Sequence, residues 1–372
     1  MLPLDLPTLD QLRELAQTRA AACVSIYLPT TPLTQETDAA RIELGNLARE
    51  AARQLAEGGA DKALLAAIAE PLEALRGDDE FWRFQATSLA LLATPERLLT
   101  FRLANRLQAQ VEVADRFHLK PLLRAVTFPH AAYVLALSEG AVRLVEVPES
   151  GPAVEVRVAD LPRDAASAAG RSTLNDRSPK GRIQGSEGQK VRLIQYARKV
   201  EAALRPVLAG SRMPLFLAAT EPLAPIYRSV NSHPQLAEGL ILGSPDRVSD
   251  AELATAARAG LDRLHAQAVA AFHALFETRA GDRRTTTDIA LAARAVTVGA
   301  VEALAVDFDE AVPGTVGEDG SVAFAAGPGR DSYGIVDTIA ARALATGARV
   351  LAVRRADIPG GTSLAAVLRY PM

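Results

Sequence analysis

The sequence predicts a mixed α/β protein of more than one domain. Short aliphatic runs with strand character alternate with amphipathic helical segments along most of the chain. Its 372 residues exceed what one hydrophobic core normally serves. One long central stretch, by contrast, has no apolar period at all.

Thr8 is placed to cap a short helix running to Gln17, and Cys23 to Leu28 is a strand closed by Pro29. A helix over about Asp38 to Ala56 carries Ala40, Leu44, Leu47, Ala48, Ala51 and Leu55 on one face. A second helix covers about Asp61 to Leu75 and stops at Gly77. Strands are predicted at Ser88 to Ala93, Arg97 to Arg102 and Gln108 to Val113, the first two joined by the turn Thr94-Pro95-Glu96. A boundary is expected near Leu123 to Pro129.

Beyond it, Ala132 to Leu137 and Ala141 to Val147 form a hairpin across Ser138-Glu139-Gly140, with a further strand at Ala153 to Val158. From Pro162 to Gln189 the composition turns to Ala, Ser, Gly, Asn, Asp, Arg and Lys, which predicts a long loop. A helix follows from about Gln189 to Val207. Its apolar side holds Leu193, Ile194, Ala197, Val200 and Leu204, and Arg192, Gln195 and Lys199 share the opposite face. Pro214 to Ala219 reads as a buried strand. Ser249 and Glu252 form a capping box that opens a long helix to about Arg279, with a core stripe from Leu253 to Phe276. Another helix covers Thr287 to Val296. The last part reads as strands at Val301 to Asp307, Ser321 to Phe324, Arg349 to Val353 and Ser363 to Tyr370, with a helix over Gly334 to Ala345.

Composition bounds the function. Hydrophobic content of 49% with 23% charged residues is ordinary for a soluble globular chain. Cys23 is the single cysteine, so neither an internal disulfide nor a cysteine-based zinc site is open, which fits a reducing cytoplasm. No export signal and no apolar stretch of about 18–20 residues is visible, so no membrane span is expected.

The histidines His118, His130, His233, His265 and His273 show no metal-ligand spacing. Gly185 to Lys190 lacks the glycine spacing of a phosphate loop and the hydroxyl residue after the lysine. Asp78-Asp79-Glu80 and Asp307-Phe308-Asp309-Glu310 sit beside turns and read as solvated charge runs. No catalytic residue, metal or cofactor is assigned.

Charge is the exception. The chain carries a net −3, from 41 basic and 44 acidic residues. Yet Arg171, Arg177, Lys180, Arg182, Lys190, Arg192, Arg198 and Lys199 face only Asp176 and Glu187 within one stretch, a local charge of +6. Such a patch is the footprint of a polyanion contact. A solvated surface insertion is the bland reading. The sharper one uses Gly185 and Gly188 for close backbone approach, the basic side chains for phosphates, and the Gln189 amide at the helix start.

Four segments carry a resemblance. Cys23 to Thr30, Ala114 to Leu123, Tyr133 to Ser138 and Ala365 to Tyr370 recur in the order seen in bacterial relatives of archaeo-eukaryotic release factors. That group includes the Balon and Pelota-related ribosome hibernation factors. The resemblance implies three domains, placed here at 1–125, 126–285 and 286–372. They are an N-terminal α/β domain facing the decoding centre, an RNase H-like central domain bearing the basic loop 162–189, and a small C-terminal α/β domain like a ribosomal protein.

In release factors of this lineage a Gly-Gly-Gln loop works at the peptidyl-transferase centre, a form of oxyanion stabilisation. The matching place here reads Glu187-Gly188-Gln189, so an acidic residue replaces the first glycine. It would repel phosphates and a developing oxyanion. No Asn-Ile-Lys-Ser motif stands in the N-terminal region. The expectation is a cytoplasmic, non-catalytic ribosome-binding protein that occupies the A site in hibernation or rescue. Lys180, Arg182, Lys190, Arg192 and Lys199 would contact ribosomal RNA, with Gly185 in the loop and Gly188 and Gln189 at its tip. The resemblance also implies delivery by elongation factor Tu or another translational GTPase. Peptidyl-tRNA hydrolysis through Gly188-Gln189, and a stress-related binding role away from the ribosome, are the alternatives.

Overall fold

A computed structural model of the chain describes residues 2–168, 186–240, 245–309, 311–327 and 334–372. The N-terminal stretch holds α1 (Leu9–Gln17), β1 (Cys23–Pro29), α2 (Asp38–Glu57), α3 (Lys62–Arg76), α4 (Asp79–Arg83), β2 (Ser88–Ala93), β3 (Leu98–Leu103), β4 (Gln110–Ala114) and α5 (Lys120–Thr127). The central stretch holds β5 (Ala132–Leu137), β6 (Val142–Val147), β7 (Val154–Val156), α6 (Ala165–Ala168), α7 (Ser186–Leu208), β8 (Leu215–Ala218), α8 (Leu223–Val230), β9 (Leu236–Leu240) and α9 (Asp250–Ala280). The last stretch holds β10 (Thr285–Thr286), α10 (Ile289–Thr297), β11 (Val301–Asp307), β12 (Gly314–Val316), β13 (Val322–Phe324), α11 (Ile335–Ala345), β14 (Arg349–Val353) and β15 (Leu364–Leu368). The protein is thus mixed α/β with several separate sheets.

Contacts gather into two compact units, residues 129–264 and residues 2–128 with 265–372. In the 129–264 unit one five-stranded sheet runs in the order β7-β6-β5-β8-β9. β5 is antiparallel to β6 and parallel to β8, and every residue of β5 is buried. A central strand buried on both faces must be continuously apolar, as Ala-Tyr-Val-Leu-Ala-Leu is. Alternate residues split the two faces. Ala132, Val134 and Ala136 pack with Phe216 and with Leu253, Ala257 and Leu261 of α9. α7 buries Leu193, Tyr196, Ala197, Val200 and Leu204, the helical repeat of one apolar face.

In the other unit a four-stranded antiparallel sheet has the order β3-β2-β1-β4. One face packs Val24, Ile26 and Leu28 on Leu44, Leu55, Leu72 and Trp82. Cys23 and Tyr27, on the opposite face, share a core with Leu12 and Leu15 of α1 and with Val336 and Ile339 of α11. Residues 2–128 and 265–372 therefore bury apolar surface together, which makes them one compact body. Their second sheet has the order β10-β15-β11-β14. Cys23 is buried and free, and burial pushes its thiol up to about 11. Such a thiol is unreactive at neutral pH.

Local signals held where side chains close their own turns. Thr8 caps α1 with Gln11 in a full capping box, Asp61 caps α3, and Ser249 bonds Glu252 at the head of α9. Other expectations need correction. The helix α5 was not foreseen; its Pro121 stands in the first turn, where a missing N–H costs nothing, and the two units divide just after it, at 128/129, within the stretch Leu123 to Pro129. α8, β9 and β12 were not foreseen; Pro222 precedes α8, and β9 exists through its parallel pairing with β8. The acidic runs are not merely solvated. Asp78 caps α4 through the Glu80 and Phe81 amides, and Asp307 is 2% exposed, its carboxylate accepting from the Asp309 amide. The expected strand at Ala153 to Val158 is only Val154–Val156.

The histidines all have structural neighbours. His118 Nδ1 lies 3.0 Å from Asp337, and His130 Nδ1 lies 3.1 Å from Glu149. His233 and His273 bond the carbonyls of Met213 and Asp357, and His265 packs on Phe128.

Candidate nucleic-acid interface

The basic helix begins earlier than its sequence suggests. α7 spans Ser186–Leu208, with no proline before Pro206. Gly188 and Gln189 therefore stand in its first turn and not at the tip of a loop. The helix start is where backbone N–H groups lack intrahelical partners and the dipole favours anions. Lys180, Arg182 and Gly185 lie outside the described residues, as does most of the expected loop 162–189. Of that loop, residues 165–168 form the short helix α6.

Gln189 is exposed, and its Nε2 donates to Glu139 Oε1 at 3.4 Å. Glu139 sits in the β5–β6 turn, which is firmly built. The Ser138 hydroxyl oxygen accepts from the Gly140 and Ala141 amides and bonds the Asp246 carboxylate. The Ser138 carbonyl accepts from the buried Tyr196 hydroxyl at 3.0 Å, and the Glu139 carbonyl accepts from the Ala165 amide. With its lone pairs engaged, Ser138 is a turn-former and not a nucleophile. Burial pushes the Tyr196 phenol well above its usual range, so it remains a donor.

Lys190 and Arg192 are exposed near the start of α7. At about 100° per residue, Arg192 and Lys199 fall on one stripe, whereas Lys190 lies about 160° around the axis from Arg192. Lys199 is exposed as well, and its Nζ donates one of three N–H groups to the Ala168 carbonyl at 2.5 Å. A groove of about 640 Å³ runs beside it, lined in part by Leu161, Arg163, Ala203 and Pro206. At the far end of α7 a cavity of about 270 Å³ is lined by Glu201, Arg205, Tyr227 and Asn231. There the hydrogen bond from Arg205 holds the Glu201 carboxyl below its usual range.

The structure thus brings Gly188, Gln189, Lys190 and Arg192 to one helix end, and ties Lys199, further along the same helix, to the Ala168 carbonyl. Sequence reasoning missed Glu139 and Asp246. Glu139 lies 50 residues from Gln189, and only the hairpin turn hinted at its place. Among the described residues no cluster of three or more His, Cys, Asp or Glu could hold a metal ion. Nor is any described helix long and apolar enough to cross a membrane.

The unit of residues 129–264 thus carries a basic helix, with Gly188-Gln189 in its first turn, and a mixed five-stranded sheet. Residues 129–267 match the family model described as Bacterial archaeo-eukaryotic release factor family 11. Of the four motifs that carry the resemblance, Tyr133 to Ser138 falls inside that match.

Solved structures are similar over nearly the whole chain. One is described as a model of ribosome-bound archaeal Pelota and ABCE1, at 14% identity, covering 99% of this chain and 96% of the other, with a TM-score of 0.40. Pelota of Archaeoglobus fulgidus is 12% identical, over 99% and 94% of the two chains, with a TM-score of 0.30. The archaeal translation termination factor aRF1 is 14% identical, over 98% and 99%, with a TM-score of 0.23. No curated protein sequence matches the chain.

Proposed function

We propose that this protein binds the ribosome as a release-factor-like factor, occupying the A site during hibernation or rescue without releasing peptide. The observation that carries the proposal is the release-factor family match over the unit that bears Gly188-Gln189 at the head of a basic helix. Lys190 and Arg192 would meet ribosomal RNA phosphates, joined by Lys180, Arg182 and Gly185. The substitution of Glu187 for the first glycine of the release motif, and the hold of Glu139 on the Gln189 amide, favour docking over hydrolysis. A cytoplasmic location and delivery by a translational GTPase such as elongation factor Tu belong to the same proposal.

The division into domains 1–125, 126–285 and 286–372 is part of this reading. The central sheet order supports an RNase H-like core: three antiparallel strands, then two strands parallel to the first.

Purified protein is expected to co-sediment with ribosomes at low salt and to dissociate as salt rises. Protein that stays in the supernatant at low salt overturns the proposal. The same ribosomes, loaded with labelled peptidyl-tRNA, test the second reading, favoured by the retained Gly188-Gln189 pair. Peptide release that is lost on Gln189→Ala would make the protein an enzyme.

A further inference from the structure

The cavity of about 270 Å³ at the end of α7 lies wholly inside the 129–264 unit. One water occupies about 30 Å³ in the liquid, so the space holds far more than a single bridging water. Its wall combines the last turns of α7, the residues just after them, Tyr227 of α8 and the segment 231–235.

The polar groups of this wall are firmly held. Glu201 is 6% exposed, and its carboxylate accepts from Arg205 Nε at 3.1 Å, from Arg205 Nη2 at 2.5 Å and from the Ser232 hydroxyl. His233 Nε2 donates to the Met213 carbonyl at 3.1 Å. Asn231 Nδ2 donates to the His233 carbonyl at 2.8 Å, which fixes the orientation of the amide.

Two groups in the wall remain unspent. Asn231 Oδ1 is buried and has no hydrogen-bond partner among the described residues. The Tyr227 hydroxyl bonds none of them either, although the residue is only 1% exposed. Unpaired polar groups inside a folded protein are costly and rare, so an acceptor and a donor left open in one cavity point to a ligand.

These groups set the chemistry of that ligand. Asn231 Oδ1 can only accept, and the Glu201 carboxylate and the negative end of the α7 dipole also favour incoming N–H groups. Tyr227 donates: burial, followed by the Glu201 charge, pushes its phenol well above its usual range. Leu204, Leu208 and Pro234 add apolar surface. A flat ring with an amino group beside a ring-nitrogen acceptor meets every one of these demands. Adenine, cytosine and guanine carry such an edge, and uracil has no amino group.

We infer that this cavity binds an amino-bearing nucleobase, its amino group donating to Asn231 Oδ1 while the Tyr227 hydroxyl donates to the neighbouring ring nitrogen. The base belongs either to a free nucleoside or to an unstacked position of single-stranded RNA. The site stands at the opposite end of α7 from Lys190 and does not depend on ribosome binding.

The test uses the full chain and its Tyr227→Phe variant, with adenosine, cytidine, guanosine and uridine as probes in calorimetry. Tyr227→Phe keeps the buried ring and deletes a hydroxyl without a protein partner, so the ligand-free unfolding temperature should stay unchanged. At least one amino-bearing nucleoside is expected to bind about tenfold more tightly than uridine, and Tyr227→Phe to weaken it about tenfold, the worth of one hydrogen bond. If the base is read within RNA, oligoadenylate, oligocytidylate or oligoguanylate also binds more tightly than oligouridylate. That preference then disappears in Tyr227→Phe while the salt slope, set by phosphate contacts, stays the same. If the ligand is a free nucleoside, the four oligonucleotides bind alike to both proteins. The inference is overturned if no nucleoside binds at millimolar concentration, if uridine binds as tightly as the others, or if Tyr227→Phe leaves their affinities unchanged.

Discussion

The Lys199 ammonium donates to the Ala168 carbonyl oxygen at 2.5 Å, tying the middle of α7 to the end of α6. A lysine so engaged has less to offer a phosphate than Lys190 or Arg192, which point to solvent from the first turns of the same helix.

This difference sets the first prediction. Lys190→Ala and Arg192→Ala should each reduce the salt slope of ribosome or RNA binding by about one. Lys199→Ala should leave that slope near the wild-type value and lower the unfolding temperature instead. Equal slopes in all three variants would show that the bond to Ala168 leaves Lys199 open to phosphates.

Tyr196 is 1% exposed, and its hydroxyl reaches the Ser138 carbonyl. Tyr196→Phe deletes that bond without opening a cavity. Stability should fall by about 1 kcal/mol, the usual net value of one hydrogen bond. Urea unfolding of the two proteins measures it directly.

Gly260 lies inside α9, where alanine would ordinarily gain about 1 kcal/mol of helix propensity. A Cβ there would stand 2.6 Å from the Phe216 ring, and Phe216 is itself buried. Overpacking a filled core costs about 1–3 kcal/mol, so Gly260→Ala should destabilise. A higher unfolding temperature in this variant would show that the ring moves aside freely.

Asp337 is buried beside His118 at 3.0 Å and Lys120 at 3.5 Å. Burial opposes its charge, but Lys120 and His118 outweigh that and hold the carboxyl below its usual range. A carboxyl whose folded-state pKa is depressed adds stability above its unfolded value of about 4, and that stability is lost as pH falls through the folded value. Asp337→Asn should therefore cost about 3–5 kcal/mol at pH 7 by stranding Lys120. Its stability should also vary less with pH on the acid side than that of the wild type. Joint replacement by Lys120→Met and Asp337→Leu should recover much of the loss. Denaturant midpoints collected from about pH 2 to about pH 7 check all three outcomes.

The legible parts of the fold were those decided within a few residues. Thr8 with Gln11, Asp61 with Leu64, and Ser249 with Glu252 close helix starts over three positions, so their spacing is visible in the chain. The hairpin from Ala132 to Val147 carries its own turn and alternation. The boundary at Leu123 to Pro129 was legible, but the helix α5 leading into it was not, because proline marks both loop edges and first helical turns. β9 has weak strand propensity and depends on β8 for its pairing. Of the candidate interface, Gly188, Gln189, Lys190 and Arg192 were visible as a basic glycine-bearing run. The engagement of Lys199 was not.

The sequence alone determined the mixed α/β class, the single buried-type cysteine, the local excess of positive charge and the Glu187-Gly188-Gln189 motif, because composition and short-range order are properties of the unfolded chain as well. Tertiary structure decided which charges are spent and which remain. Glu139 reaches Gln189, Lys120 reaches Asp337 and Arg116 reaches Thr338 across 50 to more than 200 residues. Such pairs form only when strand order and helix packing bring distant segments together, and periodicity along the chain carries no record of that meeting.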